Sequence, residues 1–164
     1  MKKKLTTVAF QGTKEQEEKL LAVIEKYSGT EGAMMPVLQE AQEIYGYLPK
    51  EVQKIIAKGL GVSAEEVYGV VSFYSQFKLN PDGKIAIAVC LGTACYVKGS
   101  GEIIEEFSKQ LDLPVGSTSP DGKYSLEATR CIGACGLAPV LTVNGEVYGR
   151  LTKADVADIL AKYR

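Results

Sequence analysis

Apolar side chains in the first eighty residues recur with the period of an α-helix. Thr13 and Gln16 have the spacing of a capping box, and the apolar positions Leu20, Ile24 and Tyr27 follow at intervals of three to four. The pattern predicts four short helices packed as a small bundle, with Gly59 and Gly61 ending the third. The apolar positions of the other three helices are Val37, Leu38, Ala41, Ile44 and Tyr45; Val52, Ile55, Ile56 and Leu60; and Val67, Val70 and Val71.

The spacing of the apolar residues changes after the turn sequence Asn80-Pro81-Asp82-Gly83. The apolar run 85–89 predicts a buried strand that ends at Cys90, and a helical stripe begins at Ile103. Asn144-Gly145, between two short strand-like runs, predicts a β-hairpin with a type I′ turn. The second half is therefore predicted as β-α-β-β-β-α, a small α/β sandwich whose last helix starts at Thr152-Lys-Ala-Asp155.

Composition and charge exclude several classes of function. The 164 residues carry a net charge of −1 with mixed signs, which gives no basic face for nucleic acid. The start, Met1 to Lys4, resembles the basic region of a secretory signal, but no apolar run follows it, and no stretch is long enough to span a bilayer. We therefore expect a cytoplasmic chain without direct membrane contact. Because the chain has no histidine, it lacks the usual general base and any Cys–His nucleophilic pair.

Four cysteines carry the candidate chemistry, and they form two close pairs. Cys90 and Cys95 have the spacing C-x4-C, and after thirty-five residues Cys131 and Cys135 follow as C-x3-C. We expect each pair on a glycine-containing loop, where the backbone can approach sulfur closely. Two thiolate pairs suit a two-iron cluster, one pair per iron, whose charge of about −2 rises to about −3 on reduction. Plant-type sites of this kind have potentials of roughly −400 mV, so we expect a low-potential one-electron carrier.

Other sites remain as alternatives on the residues alone. Structural zinc usually uses C-x2-C knuckles, a thiol redox enzyme uses C-x-x-C, and a four-iron cluster draws three ligands from one compact run, none of which is present. Two disulfides are disfavoured in a reducing compartment. The glycines of Gly99-Ser-Gly101 lack the third glycine of a dinucleotide loop. The aromatic-rich segment 68–77 suits either core packing or a docking surface for a partner subunit.

The motifs Cys90-LGTA-Cys95-YVKG, Cys131-IGA-Cys135-GLAP and VLTVNGEVYGRLT resemble the small two-iron subunit of NADH:quinone oxidoreductase. This family also includes the small (gamma) subunit of NAD-linked, electron-bifurcating [FeFe]-hydrogenases and a subunit of NAD-dependent formate dehydrogenases. The stretches QEAQEIYGYLPKE and VYGVVSFYSQF are similar to its N-terminal motifs. The resemblance implies an α+β chain, with an N-terminal helical bundle over residues 1–80 and a thioredoxin-like ferredoxin domain over residues 81–164. One position departs from the family, which often has histidine where this chain has Tyr96.

The resemblance also implies a role in an assembly. It assigns Cys90, Cys95, Cys131 and Cys135 as ligands of one [2Fe-2S] cluster, with no catalytic residue on this chain. The cluster would exchange single electrons with the FMN of a partner flavoprotein that binds NAD(H). We favour a soluble electron-bifurcating hydrogenase with a hydrogenase-like catalytic subunit. The equivalent subunit of the quinone reductase or formate dehydrogenase is the alternative; a stand-alone ferredoxin, a redox sensor and a zinc-bound interaction module are more remote ones.

Overall fold

The structure is a computed structural model and describes residues 8–164. The chain divides into two compact units, Met1–Pro81 and Asp82–Arg164. The expectation about the charged start, Met1 to Lys4, lies outside the described residues. Within residues 8–164, no helix has the length and apolar character needed to cross a membrane.

The first unit consists of helices with a shared apolar core, as the helical period predicts. The Thr13 hydroxyl accepts the N–H of Gln16, whose side chain accepts the N–H of Thr13, and this capping box starts the first helix. Leu20, Leu38 and Val52 are fully buried in the core of this unit. The helices of its described part are α1 (Lys14–Tyr27), α2 (Met34–Tyr45), α3 (Lys50–Leu60) and α4 (Ala64–Phe73).

The structure changes the prediction for the end of α3 and divides the aromatic segment 68–77 between the two interpretations given above. Gly59 does not end α3 but lies inside it, and a Cβ at Gly59 would come within 2.6 Å of the Ile24 side chain. This glycine therefore permits close packing of α3 on α1, and Gly61, with φ of 69°, ends the helix. The aromatic segment divides as well, because Phe77 is buried in the core whereas Phe73 is exposed.

The second unit is a mixed five-stranded sheet with helices, in the order β2-β3-β1-β4-β5. Strands β1 and β3 are parallel, and the remaining neighbours are antiparallel. The elements are β1 (Ile85–Cys90), α5 (Thr93–Val97), α6 (Ser100–Leu111), β2 (Ser117–Thr118), β3 (Tyr124–Thr129), β4 (Leu141–Val143), β5 (Glu146–Tyr148) and α7 (Asp155–Lys162). Two of these, the five-residue helix α5 and the two-residue edge strand β2, are absent from the predicted order.

The core of this unit lies where the central strand meets its neighbours and helices. Ile87 of β1 is paired with Leu126 of β3 on one side and Val143 of β4 on the other, and all three are buried. Phe107 of α6 packs in the same core. The predicted hairpin is confirmed, since Asn144 and Gly145 connect β4 to β5 with φ values of 50° and 85°, as a type I′ turn requires.

The topology sets the positions of the cysteines. Helix α6 connects the parallel strands β1 and β3, so it runs in the opposite direction to both, and its first residues lie at their carboxyl ends. Strand β1 ends at Cys90, and β3 ends at Thr129, two residues before Cys131. The two cysteine pairs therefore start from one edge of the sheet.

Candidate metal centre

The first cysteine pair is buried and held by regular structure. Cys90 is the last residue of the central strand, where its N–H donates to the Val140 carbonyl at 3.1 Å. Cys95 lies in the middle of helix α5, and both cysteines are only 2% exposed. The predicted strand that ends at Cys90 is therefore confirmed, whereas the expectation that this pair lies in a loop is wrong for Cys95, which a short helix holds.

The second pair lies at the surface. Cys131 and Cys135 are exposed, and their Sγ atoms are 3.3 Å apart as free thiols. Gly133, between them, has a φ of 85°, a value that favours glycine, so it lets the chain turn tightly enough to bring the thiols together. Cys131 lies in a loop as expected, whereas Cys135 begins a short 3-10 turn, Cys135–Leu137.

The two pairs meet at Gly92. A Cβ placed on this glycine would lie 3.1 Å from the Cβ of Cys131 and 3.4 Å from the Sγ of Cys90. Across the site, the charge of Cys90 also makes a small contribution to raising the pKa of Cys135. The structure thus brings all four predicted residues together, and the absence of a side chain at Gly92 allows the close approach.

Backbone N–H groups point at the sulfur atoms. Gly92 donates to Cys90 Sγ at 3.4 Å, and Gly133 donates to Cys131 Sγ at 3.4 Å. The Val140 backbone makes a hydrogen bond to the Cys95 thiol. Such donors stabilise the negative charge of thiolates, the form in which cysteine binds a metal. These backbone donors stabilise the negative charge of an all-thiolate site, and none of them is a side-chain cation.

The same geometry separates the thiols by acidity. The hydrogen bond from the Gly133 N–H, followed by that from the Cys135 thiol, lowers the pKa of Cys131. The hydrogen bond and charge of Cys131 in turn raise the pKa of Cys135. Burial raises the pKa of Cys95, with a smaller opposing effect from the Val140 backbone. The pair of Cys131 and Cys135 thus holds one proton more readily than two negative charges, which is expected of close thiols without a cation between them.

The donor set fits a two-iron cluster. Within residues 8–164, no three or more His, Cys, Asp or Glu side chains gather around a single ion position. The thiols form a buried pair and an exposed pair instead, and each pair supplies two sulfur ligands of the soft type that iron–sulfur clusters use. The cluster chemistry predicted from the cysteine spacing is compatible with this geometry.

Several neighbours of the site carry no sequence signal that we used. The peptide 138–140, which includes a cis bond between Ala138 and Pro139, is buried beside the first pair and supplies both Val140 contacts. Ser100, the first residue of α6, is fully buried, and its hydroxyl has no hydrogen-bond partner. A signal for its burial existed, because Ser100 occupies the same helical stripe as Ile103, Ile104 and Phe107.

Exposed apolar side chains lie beside the cysteines. Tyr96 is 64% exposed and Val97 is 80% exposed, next to Cys95 on α5. Ile132 and Leu137, which flank the second pair in sequence, are exposed as well. These four residues are called the apolar rim below. Such side chains at the surface commonly mark interaction sites when they cluster.

Comparisons with known proteins identify the family of the chain. The family model described as thioredoxin-like [2Fe-2S] ferredoxin matches residues 20–164. The NADP-reducing hydrogenase subunit HndA of Solidesulfovibrio fructosivorans is 46% identical over 140 residues, which cover 85% of this chain and 82% of that protein. A subunit of the NADH-quinone oxidoreductase of Aquifex aeolicus is 32% identical over 154 residues, which cover 94% of this chain and 96% of that one.

A solved structure shows the same fold. The crystal structure of an NAD+-reducing [NiFe]-hydrogenase in the H2-reduced state superposes with a TM-score of 0.57 at 18% identity. The match covers 77% of this chain and 22% of that one, so this chain corresponds to about a fifth of that hydrogenase chain. The family resemblance of the cysteine motifs and the α+β fold class are thereby confirmed. This chain belongs to the thioredoxin-like [2Fe-2S] ferredoxin family, and its cofactor is a [2Fe-2S] cluster.

Proposed function

We propose that this chain is the electron-transfer subunit of a multi-subunit, NAD(P)(H)-linked hydrogenase. The observation that carries the proposal is the pairing of four thiols at one sheet edge, one pair buried and one exposed, in a relative of a hydrogenase subunit. The bound cluster supplies one-electron chemistry. Bond-breaking steps and the binding of FMN and NAD(H) belong to partner subunits in this proposal.

The four cysteines are the proposed ligands, two for each iron. Cys90 and Cys95 would hold one iron in a buried position, and the Gly92 and Val140 backbone groups make hydrogen bonds to the sulfurs of Cys90 and Cys95, respectively. Cys131 and Cys135 would hold the other iron, called the outer iron below, at the surface. Ligation requires all four as thiolates, so loading of the cluster releases protons, including that of Cys95, whose pKa burial raises.

The exposed pair is the proposed route for electrons to and from the partner. Because Cys131 and Cys135 reach the surface, a flavin on a docked flavoprotein can approach the outer iron without crossing the core. The apolar rim beside them offers area that docking would bury. Docking at this edge would also exclude water from the exposed iron, so the partner protects the cluster as well as exchanging electrons with it.

A hydrogenase is favoured over the respiratory quinone reductase by similarity. The hydrogenase subunit is 46% identical to this chain, whereas the matching NADH-quinone oxidoreductase subunits of Rhizobium meliloti and Aquifex aeolicus are 33% and 32% identical. The relative's name also describes an NADP-reducing enzyme, which extends our expectation from NAD(H) to NADP(H). Electron bifurcation is a finer proposal, in which the partner flavin divides an electron pair between two acceptors. The cytoplasm, with its reducing conditions, is the proposed location.

Anaerobic purification of the tagged full-length chain from its own organism tests the proposal. We expect a flavoprotein and a hydrogenase catalytic subunit in stoichiometric amounts, and reduction of the cluster by NADH or NADPH only when the flavoprotein is present. Recovery with a membrane quinone reductase would refute the choice of complex. A cluster-loaded chain that stays monomeric beside the flavoprotein would refute the role as a subunit and favour a free ferredoxin.

A matched pair of surface variants tests the docking edge. Val97→Ser removes an exposed apolar side chain of the rim next to Cys95, and we expect weaker binding of the flavoprotein at unchanged iron content. Leu21→Ser removes a similar exposed side chain from α1 and serves as the control. Equal binding by both variants would place the interface elsewhere.

A further inference from the structure

One buried hydroxyl near the cysteines lacks a partner. Ser100 is 0% exposed, and its Oγ makes no hydrogen bond to any described part of the protein. A buried hydroxyl without a partner destabilises the folded protein, and buried polar groups in proteins nearly always have a hydrogen-bond partner. A group that the protein binds would therefore be the missing partner.

The position of Ser100 identifies that group. Ser100 is the first residue of α6 and the first member of the stripe with Ile103, Ile104 and Phe107 that faces the core. The start of α6 lies at the carboxyl ends of β1 and β3, the edge from which both cysteine pairs extend. Gly99, with φ of 95°, turns the chain from α5 directly into α6, which leaves four residues between Cys95 and Ser100.

The first turn of α6 is in contact with the helix that carries Cys95. A Cβ at Gly101 would lie 3.4 Å from the Tyr96 ring. The exposed Tyr96 ring thus covers the outer side of this turn at Gly101, while the neighbouring Ser100 side chain is directed inward and fully buried. Helix α6 thus begins between the two elements that carry the buried pair, since it packs against both β1, which ends at Cys90, and α5, which contains Cys95.

We infer that the Ser100 hydroxyl donates a hydrogen bond to a sulfur of the bound cluster on the side of Cys90 and Cys95. A serine hydroxyl is a donor, and cluster sulfur is a negatively charged acceptor. The reduced cluster carries one more negative charge than the oxidised cluster, so this donor stabilises the reduced form more. Ser100 therefore raises the reduction potential. The inference rests on the four-cysteine assignment proposed above.

The matched test removes one hydroxyl from each end of the same helix. Ser100→Ala deletes the proposed donor, whereas Ser108→Ala deletes a hydroxyl that already donates to the Leu113 carbonyl at 2.7 Å. The full-length chain is loaded with its cluster, and the midpoint potential is measured by EPR-monitored redox titration. Exchangeable protons coupled to the reduced cluster are recorded by ENDOR in H2O and D2O.

We expect Ser100→Ala to shift the midpoint to a more negative value and to lose one exchangeable proton coupling, while Ser108→Ala keeps the wild-type potential and spectrum. A purely structural serine would change stability but not the proton coupling. Iron-loaded Ser100→Ala protein with wild-type potential and couplings would overturn the inference and leave the cluster assignment intact. Wild-type protein without iron would overturn both.

A second pair of variants covers the case in which Ser100→Ala binds little iron. Ser100→Thr and Ser100→Val have nearly the same shape and differ in one hydroxyl, so they separate the hydrogen bond from packing. We expect the Thr variant to hold the cluster near the wild-type potential and the Val variant to hold it at a lower potential or to lose it. Equal iron content and equal potential in the two variants would contradict the inference.

Discussion

Gly92 offers the sharpest test of the contact between the two cysteine pairs. Its backbone, with φ of −61° and ψ of 159°, is open to any residue, so Gly92→Ala changes only the space between the pairs. The new methyl group would lie 3.1 Å from Cys131 Cβ and 3.3 Å from Cys131 Cα. Carbon atoms pack best at about 3.5–4.0 Å, so Cys131 must withdraw by about 0.4 Å or more.

The magnitude follows from the cost of overpacking. An extra methyl group in a tightly packed site costs about 1–3 kcal/mol. When the cluster is bound, the iron fixes both cysteine pairs, so the overpacking destabilises the loaded protein by the full amount. Once the iron is released, the loop around Cys131 can relax and most of this strain disappears. We therefore expect a chelator to extract iron from Gly92→Ala about 5- to 140-fold faster than from the wild type, at tenfold per 1.4 kcal/mol.

The assay is the loss of cluster absorbance under anaerobic conditions in excess chelator. Gly136→Ala is the matched control, because Gly136 lies in the turn that begins at Cys135, and a Cβ there meets nothing within 4 Å. We expect its extraction rate to equal that of the wild type. If Gly92→Ala and Gly136→Ala release iron at the same rate, the close contact between Gly92 and Cys131 does not exist in the loaded protein.

Three further predictions concern the cysteines and their neighbour. Cys135→Ser replaces a soft thiolate by a poor ligand, so we expect the visible cluster spectrum to disappear and the thermal stability of the second unit to fall; an unchanged spectrum would refute ligation. Tyr96→His changes an exposed ring that ligates nothing, so iron content should stay full with a modest change of midpoint potential, and loss of the cluster would show that the tyrosine is needed structurally. In the cluster-free chain, the Gly133 N–H lowers the pKa of Cys131, so iodoacetamide at neutral pH should label Cys131 before Cys135. Peptide mass analysis measures the order of labelling, and the preference for Cys131 should fade as rising pH ionises both thiols. Labelling of Cys135 first would contradict the prediction.

Local patterns in the sequence predict much of this fold. The stripes of α1 and α3 repeat at helical spacing, and Thr13 with Gln16 marks the start of the first. The Asn144-Gly145 pair specifies its turn, because both residues tolerate positive φ. The strand that ends at Cys90 is likewise visible as an apolar run between turn signals. Each of these signals arises within a few residues, where backbone sterics and periodic burial act.

Contacts between distant residues were not predictable in the same way. In the sequence, Gly59 looks like a helix stop and Gly92 like an ordinary loop glycine. Their roles depend on residues far away along the chain, because Ile24 packs against Gly59 and Cys131 lies beside Gly92. The helix around Cys95 has five residues, too few to show a helical period. Ser100 differs in part, because its place in the apolar stripe of α6 indicates burial, but the sequence does not show that its hydroxyl lacks a partner.

The cysteine spacing indicated the chemistry of the site but not its asymmetry. Spacing alone suggests two equivalent pairs, yet Cys90 and Cys95 are buried while Cys131 and Cys135 are exposed. The difference arises because Cys90 ends the central strand of the sheet and Cys95 is the buried residue of α5, whereas Cys131 and Cys135 lie in the exposed chain after β3. This asymmetry supports the proposed buried and outer irons and the route to a partner.

The most direct test of the account is the metal and sulfide content of the full-length chain prepared without oxygen, with an EPR spectrum after dithionite reduction. The account predicts two irons and two acid-labile sulfides per chain and a single spin-half signal, as a [2Fe-2S] cluster on four thiolates requires. One zinc per chain, with neither sulfide nor signal, would contradict it.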